Sequence, residues 1–302
     1  MSELRGAYTA LVTPFASGGG KIDLDVFEQL IRHQATGGVR GIVPCGTTGE
    51  SPTLSEQEHS ALVGTAVELA STLDLEVIAG AGSNDTAHAV ALHKVVCELG
   101  ANAALHVAPY YNRPSQEGLY RHYMTIADSA DLPIVLYDVP SRCGVCIEAD
   151  TIVRLAEHPN IRGLKAAGGS TDVVTEVLTR CDISVLSGDD TMTLPMMAVG
   201  ARGVISVLSN VVPGEVAGLC RAVLEGRFSD ALEIHRDTFA LARDLLSLDV
   251  NPVPVKVALE LIGFGRSTLR EPLVQPTAEV HQSIAVALEK AGLAVGDLVA
   301  QT

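Results

Sequence analysis

Eight short apolar runs recur along the chain, each followed by a segment whose apolar residues return at helical spacing, and this alternation narrows the fold to very few architectures. The runs cover residues 8–13, 41–45, 76–81, 103–108, 133–139, 161–166, 183–187 and 203–208. Amphipathic segments between them include 25–36, 56–71, 86–99, 116–130 and 173–181. Eight strand–helix units predict an α/β fold, an eight-stranded parallel (β/α)8 TIM barrel with its helices outside. An open doubly wound sheet is the rival. It lacks support, because Gly80-Ala81-Gly82-Ser83-Asn84-Asp85 fails the dinucleotide-binding glycine pattern at its last position, and no phosphate-binding P-loop occurs. Past residue 228 the strand-like runs end, and 229–246, 255–261 and 277–291 all have helical spacing. The expected division is a barrel over residues 1–228 and a C-terminal helical domain over 229–302.

Charge and composition remove several classes of partner. The chain carries 36 acidic and 21 basic side chains, a formal charge of −15. Such a surface repels phosphate backbones and anionic lipid, so neither nucleic acid nor membrane is an expected partner. Aromatic residues are 4% and tryptophan is absent, which also argues against a base-stacking platform. Met1-Ser2-Glu3-Leu4-Arg5 shows no apolar signal segment, and the uncharged stretch 6–20 is short and broken by Gly and Pro. A cytoplasmic location is expected. The six cysteines are then read as reduced thiols. Cys143-Gly144-Val145-Cys146 has metal or redox spacing, but no second pair accompanies it, and the nine histidines show no ligand pattern. No metal is expected.

In a barrel of this kind, chemistry sits where the strands end. Those ends carry Gly46-Thr47-Thr48-Gly49-Glu50-Ser51, Pro109-Tyr110-Tyr111-Asn112-Arg113-Pro114, Tyr137-Asp138-Val139-Pro140-Ser141-Arg142 and Ser187-Gly188-Asp189-Asp190. Of five lysines, Lys165 alone falls in a core strand. Burial lowers an amine's pKa and exposes a nucleophile able to form a Schiff base with a carbonyl compound. Equally, a buried lysine can be neutralised by a carboxylate such as Asp189. The Thr47-Thr48 pair between glycines offers converging amides and hydroxyls for a small carboxylate, or is an ordinary turn capped by Ser51 or Ser55. Tyr110, Tyr111 and Tyr137, half of the six tyrosines, stand at strand ends, where a phenol either relays protons or packs. Arg142 is either a carboxylate-binding fork or a surface charge.

Taken together, these segments resemble the dihydrodipicolinate synthase family, within the pyruvate-dependent Schiff-base aldolases that include N-acetylneuraminate lyase. The likeness runs through Val12-Thr13-Pro14, Gly46–Ser51, Ala79-Gly80-Ala81-Gly82, the segment 109–120, Tyr137-x-Val139-Pro140-Ser141-Arg142, Gly163-Leu164-Lys165, Ser187–Asp190, Val204-Ile205-Ser206 and Asn251-Pro252-Val253-Pro254-Val255-Lys256. The resemblance implies Lys165 as the lysine that condenses with pyruvate. It implies Tyr137 as the acid/base above the imine, Thr48 as the hydroxyl linking it to a second tyrosine, and Tyr111 as that tyrosine, acting in a neighbouring subunit's site. Thr47 and Thr48 match the pyruvate-carboxylate cradle, and Gly188 and Ile205 match backbone groups lining the pocket. Arg142 matches the arginine that receives aspartate semialdehyde. A homotetramer built as a dimer of dimers, and no cofactor, are implied as well.

Three positions depart from the family pattern: Ala166 after the lysine, Asp138 where asparagine is more usual, and Cys143 at a place often held by threonine. A sister aldolase or hydratase-aldolase acting on N-acetylneuraminate or a 2-keto-3-deoxy acid is the alternative, and Arg142 and 251–256 favour the short carboxylate-bearing aldehyde. Some relatives are inhibited by lysine, and the matching candidate positions are Ser51, Glu56, His59, Asn84, His88 and Tyr110. An imidazole at 88 is a weaker partner for an ammonium than the carboxylate that strongly inhibited members carry there, so weak or absent inhibition is expected.

Overall fold

The computed structural model describes residues 3–296. Eight parallel strands close on themselves in sequence order: β1 (Gly6–Ala10), β2 (Gly41–Val43), β3 (Glu76–Gly80), β4 (Ala103–Val107), β5 (Ile134–Asp138), β6 (Ile161–Ala166), β7 (Ser184–Ser187) and β8 (Gly203–Ser206). Closure comes from β1 pairing with β8, Ala7 opposite Val204 and Tyr8 opposite Ile205. Helices α1 (Leu24–Gly37), α2 (Glu56–Leu73), α3 (Thr86–Glu98), α4 (Gln116–Ala127), α5 (Pro140–Cys143), α6 (Ala149–Ala156), α7 (Thr171–Arg180), α8 (Thr193–Ala198) and α9 (Pro213–Leu224) form the outer layer. Then α10 (Phe228–Ser247), α11 (Val253–Leu261) and α12 (Ala278–Lys290) follow without an intervening strand. The expected TIM barrel with helices at its C-terminal end is what the chain forms.

Local sequence sets the element ends. Ser55 and Glu58 form a reciprocal capping box at the start of α2, and Asp23, Asp85, Ser115 and Ser170 cap α1, α3, α4 and α7 through their side chains. The second strand is shorter than the apolar run 41–45, because Pro44 has no N–H to donate and Cys45 turns into the left-handed region at φ 57°. Gly80 accommodates that turn: a Cβ there would stand 2.1 Å from the Cys45 carbonyl oxygen. Between β5 and β6 lie two helices that the apolar spacing left unassigned, since α5 has only four residues and α6 eight.

One contiguous apolar core runs from the barrel into the last helices, joining Leu136 and Val185 with Leu245, Val255 and Leu288. Three histidines interrupt it outside β4: His106 on the strand, His93 on α3 and His122 on α4. His93 Nδ1 and His106 Nε2 are 3.1 Å apart, and His122 Nδ1 is 2.9 Å from Thr86 Oγ1. Burial holds His93 and His122 down to about 4, and His106, which also faces those two rings, lies well below its ordinary value.

These rings are uncharged in the folded protein but take up protons at about 6.5 once the chain unfolds. Between those values the unfolded state binds more protons, so stability is full above about pH 6.5 and falls as pH drops towards 4. From pH 7 to pH 5 a ring held at about 4, such as His122, should remove about 2 kcal/mol from the folding free energy. Urea midpoints measured across that interval should fall, and His122→Gln should flatten the slope by about one proton. An unchanged slope in that variant would remove His122 from the account.

Candidate active site

Lys165 sits on β6 with its strand neighbours in register, Tyr137 on β5 and Leu186 on β7. It is 5% exposed, and its Nζ lies 4.2 Å from the centroid of the Tyr137 ring. At the end of β7 the backbone passes close to the lysine stem. A Cβ on Gly188 would stand 3.1 Å from Lys165 Cε and Cγ, so glycine keeps the side chain's lane open. Among the described residues Lys165 has neither a hydrogen bond nor a carboxylate within 4.0 Å. Asp189, the partner considered for a neutralised lysine, instead accepts from Thr191 N and Oγ1 at 3.0 and 2.9 Å. Asp190, next to it, is buried and pushed up by that burial. It accepts from Val207 N and Leu208 N, both at 3.0 Å, which fixes the backbone just beyond Ile205 on β8.

The loop after β2 is a coil of short-range bonds. Gly49 N donates to Gly46 O at 3.1 Å, Glu50 N to Thr47 O at 3.1 Å, and Ser51 N to Gly46 O at 3.3 Å. Thr48 is buried at its centre, its Oγ1 accepting from Asn251 Nδ2 at 3.1 Å. The same asparagine receives Arg142 Nη2 on its carbonyl at 3.3 Å, so residue 251 touches both a loop threonine and the exposed arginine of α5.

Beneath this loop runs a buried ionic chain. Glu50, held in the left-handed region at φ 53°, accepts Lys256 Nζ at 2.6 Å and Arg270 N at 3.1 Å. Lys256 Nζ also donates to Thr13 O at 2.8 Å, and burial lowers its pKa against the pull of Glu50. Arg270 forks onto Glu58 at 2.5 and 2.8 Å and holds that carboxyl down at about 2. Phe15 lies under both cations, 4.4 Å from Lys256 Nζ and 4.3 Å from Arg270 Cζ. Sequence reasoning marked the segment 251–256 as favouring the short aldehyde, and did not foresee it as a tether for the loop after β2. Arg270 gave no signal, because its partners Glu58, Thr53 and Gly19 lie more than 200 positions away.

A cavity of about 420 Å³ opens beside the barrel mouth. Thr47, Tyr137 and Arg142 line it, and so do Ser51, Glu56, His59, His88 and Tyr110. Thus five of the six candidate effector positions share one space with three of the candidate substrate residues. Asn84 stands beside them, its Nδ2 donating to Tyr110 O at 3.2 Å. His59 is buried and its pKa is lowered, with Nε2 2.7 Å from Gly80 O. Lys165, Thr48, Gly188 and Ile205 are not on the cavity wall; Tyr137 is the link, lining the cavity while covering the lysine.

Tyr111 is not brought into this group within one chain. It is 90% exposed, with a left-handed φ of 70°, and makes no hydrogen bond to Thr48 or Tyr137 among the described residues. The turn that holds it is tied down by Asn112 Nδ2 donating to Asn84 O at 2.9 Å. Cys143, buried and pushed up to about 11, donates to Ala108 O at 3.1 Å, whereas Cys146 is exposed.

The barrel mouth thus carries a buried lysine with no carboxylate partner among the described residues, a tyrosine ring over its amine and a glycine-framed threonine pair, and it is the relatives that specify the class. The model of the dihydrodipicolinate synthetase family matches residues 3–291, and the chain belongs to that family. A 4-hydroxy-tetrahydrodipicolinate synthase of Syntrophotalea carbinolica is 44% identical over 290 residues, covering 95% of this chain and 98% of that protein. The crystal structure of dihydrodipicolinate synthase from Aquifex aeolicus superposes with a TM-score of 0.94 at 42% identity, over 97% of this chain and all of that one (100%). The enzyme of Cyanidioschyzon merolae, solved with lysine bound, reaches 0.93 at 37% identity over 96% of this chain and 98% of its own. A monomeric dihydrodipicolinate synthase variant reaches 0.92 at 40%, over 96% and 97%.

The Glu50–Lys256 pair should behave as a tether whose loss strands a buried charge. Lys256→Met is expected to destabilise the fold by about 3–5 kcal/mol in chemical denaturation, because Glu50 is left without its cation. The double variant Glu50→Gln with Lys256→Met should recover a good part of that loss. A single and a double variant of equal stability would show that the pair is not coupled.

Proposed function

We propose that this chain is a lyase working as a 4-hydroxy-tetrahydrodipicolinate synthase, condensing pyruvate with L-aspartate 4-semialdehyde through a Schiff base on Lys165. The observation that carries the reading is the free Lys165 amine, buried 4.2 Å beneath the Tyr137 ring with no carboxylate partner among the described residues. Relatives that bear the synthase name support it over the sugar-acid aldolase alternative.

The Lys165 amine attacks the pyruvate ketone, and loss of water gives a protonated imine. That imine draws electrons from the adjacent methyl group, whose proton leaves with help from Tyr137. The resulting enamine attacks the semialdehyde, and the substrate's own amino group then displaces Lys165 as the ring closes. The lysine supplies the electrophile itself, so the chemistry asks for no metal or organic cofactor. Thr47 and Thr48 cradle the pyruvate carboxylate together with backbone groups at Gly188 and Ile205. Arg142 receives the carboxylate of the second substrate. The product belongs to lysine and diaminopimelate biosynthesis, in the cytoplasm.

Tyr111 serves a neighbouring subunit. A large aromatic side chain left 90% exposed on a left-handed residue is costly for an isolated chain and sensible where a second copy covers it. Dimers pairing into a homotetramer are the proposed assembly, with residues 1–228 as the catalytic barrel and 229–302 as a helical domain. The cavity containing Glu56, His59 and His88 is the proposed lysine-responsive site, with weak response.

Borohydride trapping with pyruvate tests the nucleophile. Wild type should gain the mass of reduced pyruvate on Lys165, and Lys165→Arg should gain none; mass appearing on another lysine would overturn the assignment. Arg142→Ala should keep the trapping and lose about 10- to 150-fold in turnover with aspartate semialdehyde. Better turnover of N-acetylmannosamine than of the semialdehyde would sink the synthase reading.

Subunit sharing is checked by mixing Lys165→Ala chains with Tyr111→Phe chains. Hybrid dimers then contain one site with both side chains intact, and activity should rise clearly above the average of the two parents. Activity no higher than that average would return Tyr111 to its own chain's site.

A further inference from the structure

On the outer face of the same two strands lies a second cavity, of about 430 Å³, enclosed by α6 and α7. In the β5–β6 register Asp138 stands opposite Ala166, one residue beyond the Tyr137–Lys165 pair. Successive strand residues alternate in direction, so Asp138 and Ala166 face this cavity while their predecessors face the barrel. Asp138 is only 8% exposed. Its Oδ1 accepts from Ile147 N at 2.9 Å, but its Oδ2 has no partner among the described residues. Gly168 lies beside that oxygen on the cavity lining, and a Cβ there would stand 3.5 Å from it, in ordinary contact.

The rest of the cavity is apolar with an acidic rim. Ile152, Leu164 and Val174 form its wall, and Glu148, Asp150 and Glu176 its edge. Arg180 answers two of those edge acids, bonding Asp150 at 2.7 Å and Glu176 at 3.0 Å. No Lys, Arg or His lines the cavity among the described residues. The other titratable groups that face Asp138 are the Tyr123 phenol and the Cys143 thiol, both held protonated by burial. Asp138 is therefore a buried carboxylate without a countercharge, and burial pushes it up to about 6. The ionisable acids on the lining have no cation among them, so an apolar body with a cationic donor at one end would suit both wall and carboxylate.

We propose that the cavity between α6 and α7 is a binding site for a small organic ammonium, anchored by a charge-assisted hydrogen bond to Asp138 Oδ2. The site is separate from the lysine-lined barrel mouth and does not depend on which aldehyde the enzyme uses. A primary ammonium supplies up to three donors and a charge of the missing sign, and a chain of three or four carbons suits the apolar wall.

Isothermal titration of the full-length protein with n-butylammonium chloride, at constant ionic strength, tests this. At pH 7.5 saturable binding is expected, with sodium butyrate and potassium chloride giving none. Affinity for wild type should fall by up to about 10-fold between pH 7 and pH 5, as Asp138 takes up its proton below about 6 while the ammonium stays charged. Asp138→Asn keeps an acceptor for Ile147 N and should weaken binding by about 10- to 100-fold. The wild-type pH series stands alone if that variant fails to fold. Absence of binding, equal binding of butyrate, pH-independent affinity, or equal affinity in a folded Asp138→Asn protein would each overturn the proposal.

Discussion

The buried ion pair between Glu50 and Lys256 joins the two parts of the molecule that the mouth of the barrel requires. Two opposite charges taken out of water are costly unless each remaining donor and acceptor is met, and here they are: Lys256 by Thr13 O and the Phe15 ring, Glu50 by Arg270 N. Meeting those demands fixes Glu50 in a left-handed conformation that few residues adopt freely, and the loop containing Thr47 and Thr48 is coiled immediately before it. The helices after β8 thus act on the loop after β2 across more than 200 residues, through Lys256 on Glu50 and Asn251 on Thr48. Hydrophobic contact alone would hold the helices there, but would not specify which way a threonine hydroxyl points.

The barrel was legible because fully buried parallel strands write themselves as apolar runs and because eight repeats leave little choice of architecture. Lys165 stood out for a related reason: of the two cations in the run Ile161-Arg162-Gly163-Leu164-Lys165-Ala166, Arg162 is exposed near the strand's start, whereas Lys165 lies in its buried part. What the run could not say was whether Asp189 neutralises it. That depended on a turn in which Asp189 caps Thr191 instead, a choice made by local backbone geometry after β7. The short helices α5 and α6 escaped notice because four and eight residues are too few for a helical period to show.

The non-local partners were illegible for a different reason. Asn251 and Arg270 act on residues that only closure of the barrel and docking of α11 bring near. Arg270 has no distinguishing neighbour pattern, and the motif that contains Asn251 does not name its partner; a polar residue in a loop reads as solvated until that partner is known. Tyr111 is the converse case. Its motif stood out in the sequence, yet in one chain it stands 90% exposed, on a turn tied by Asn112 to Asn84. On the proposed assembly its partner is another copy of the chain, which a single chain can signal only through the cost of leaving the ring uncovered.

Register sets both faces of the β5–β6 pair at once. Parallel pairing with Tyr137 opposite Lys165 necessarily sets Asp138 opposite Ala166, and a slip by one residue would exchange the two faces. On the inner face the pairing brings an aromatic ring over an amine; on the outer face it places a carboxylate beside a small side chain and so leaves room. A larger residue at 166 would fill that room, and an asparagine at 138 would remove its charge. Two of the three positions noted as departures from the family pattern, 138 and 166, are therefore neighbours in space, and together they leave a space and put a charge within it. Departures that occur singly can drift without consequence. A paired departure that both opens a cavity and strands an acid in it carries a standing energetic cost, and an occupant of opposite charge would offset it.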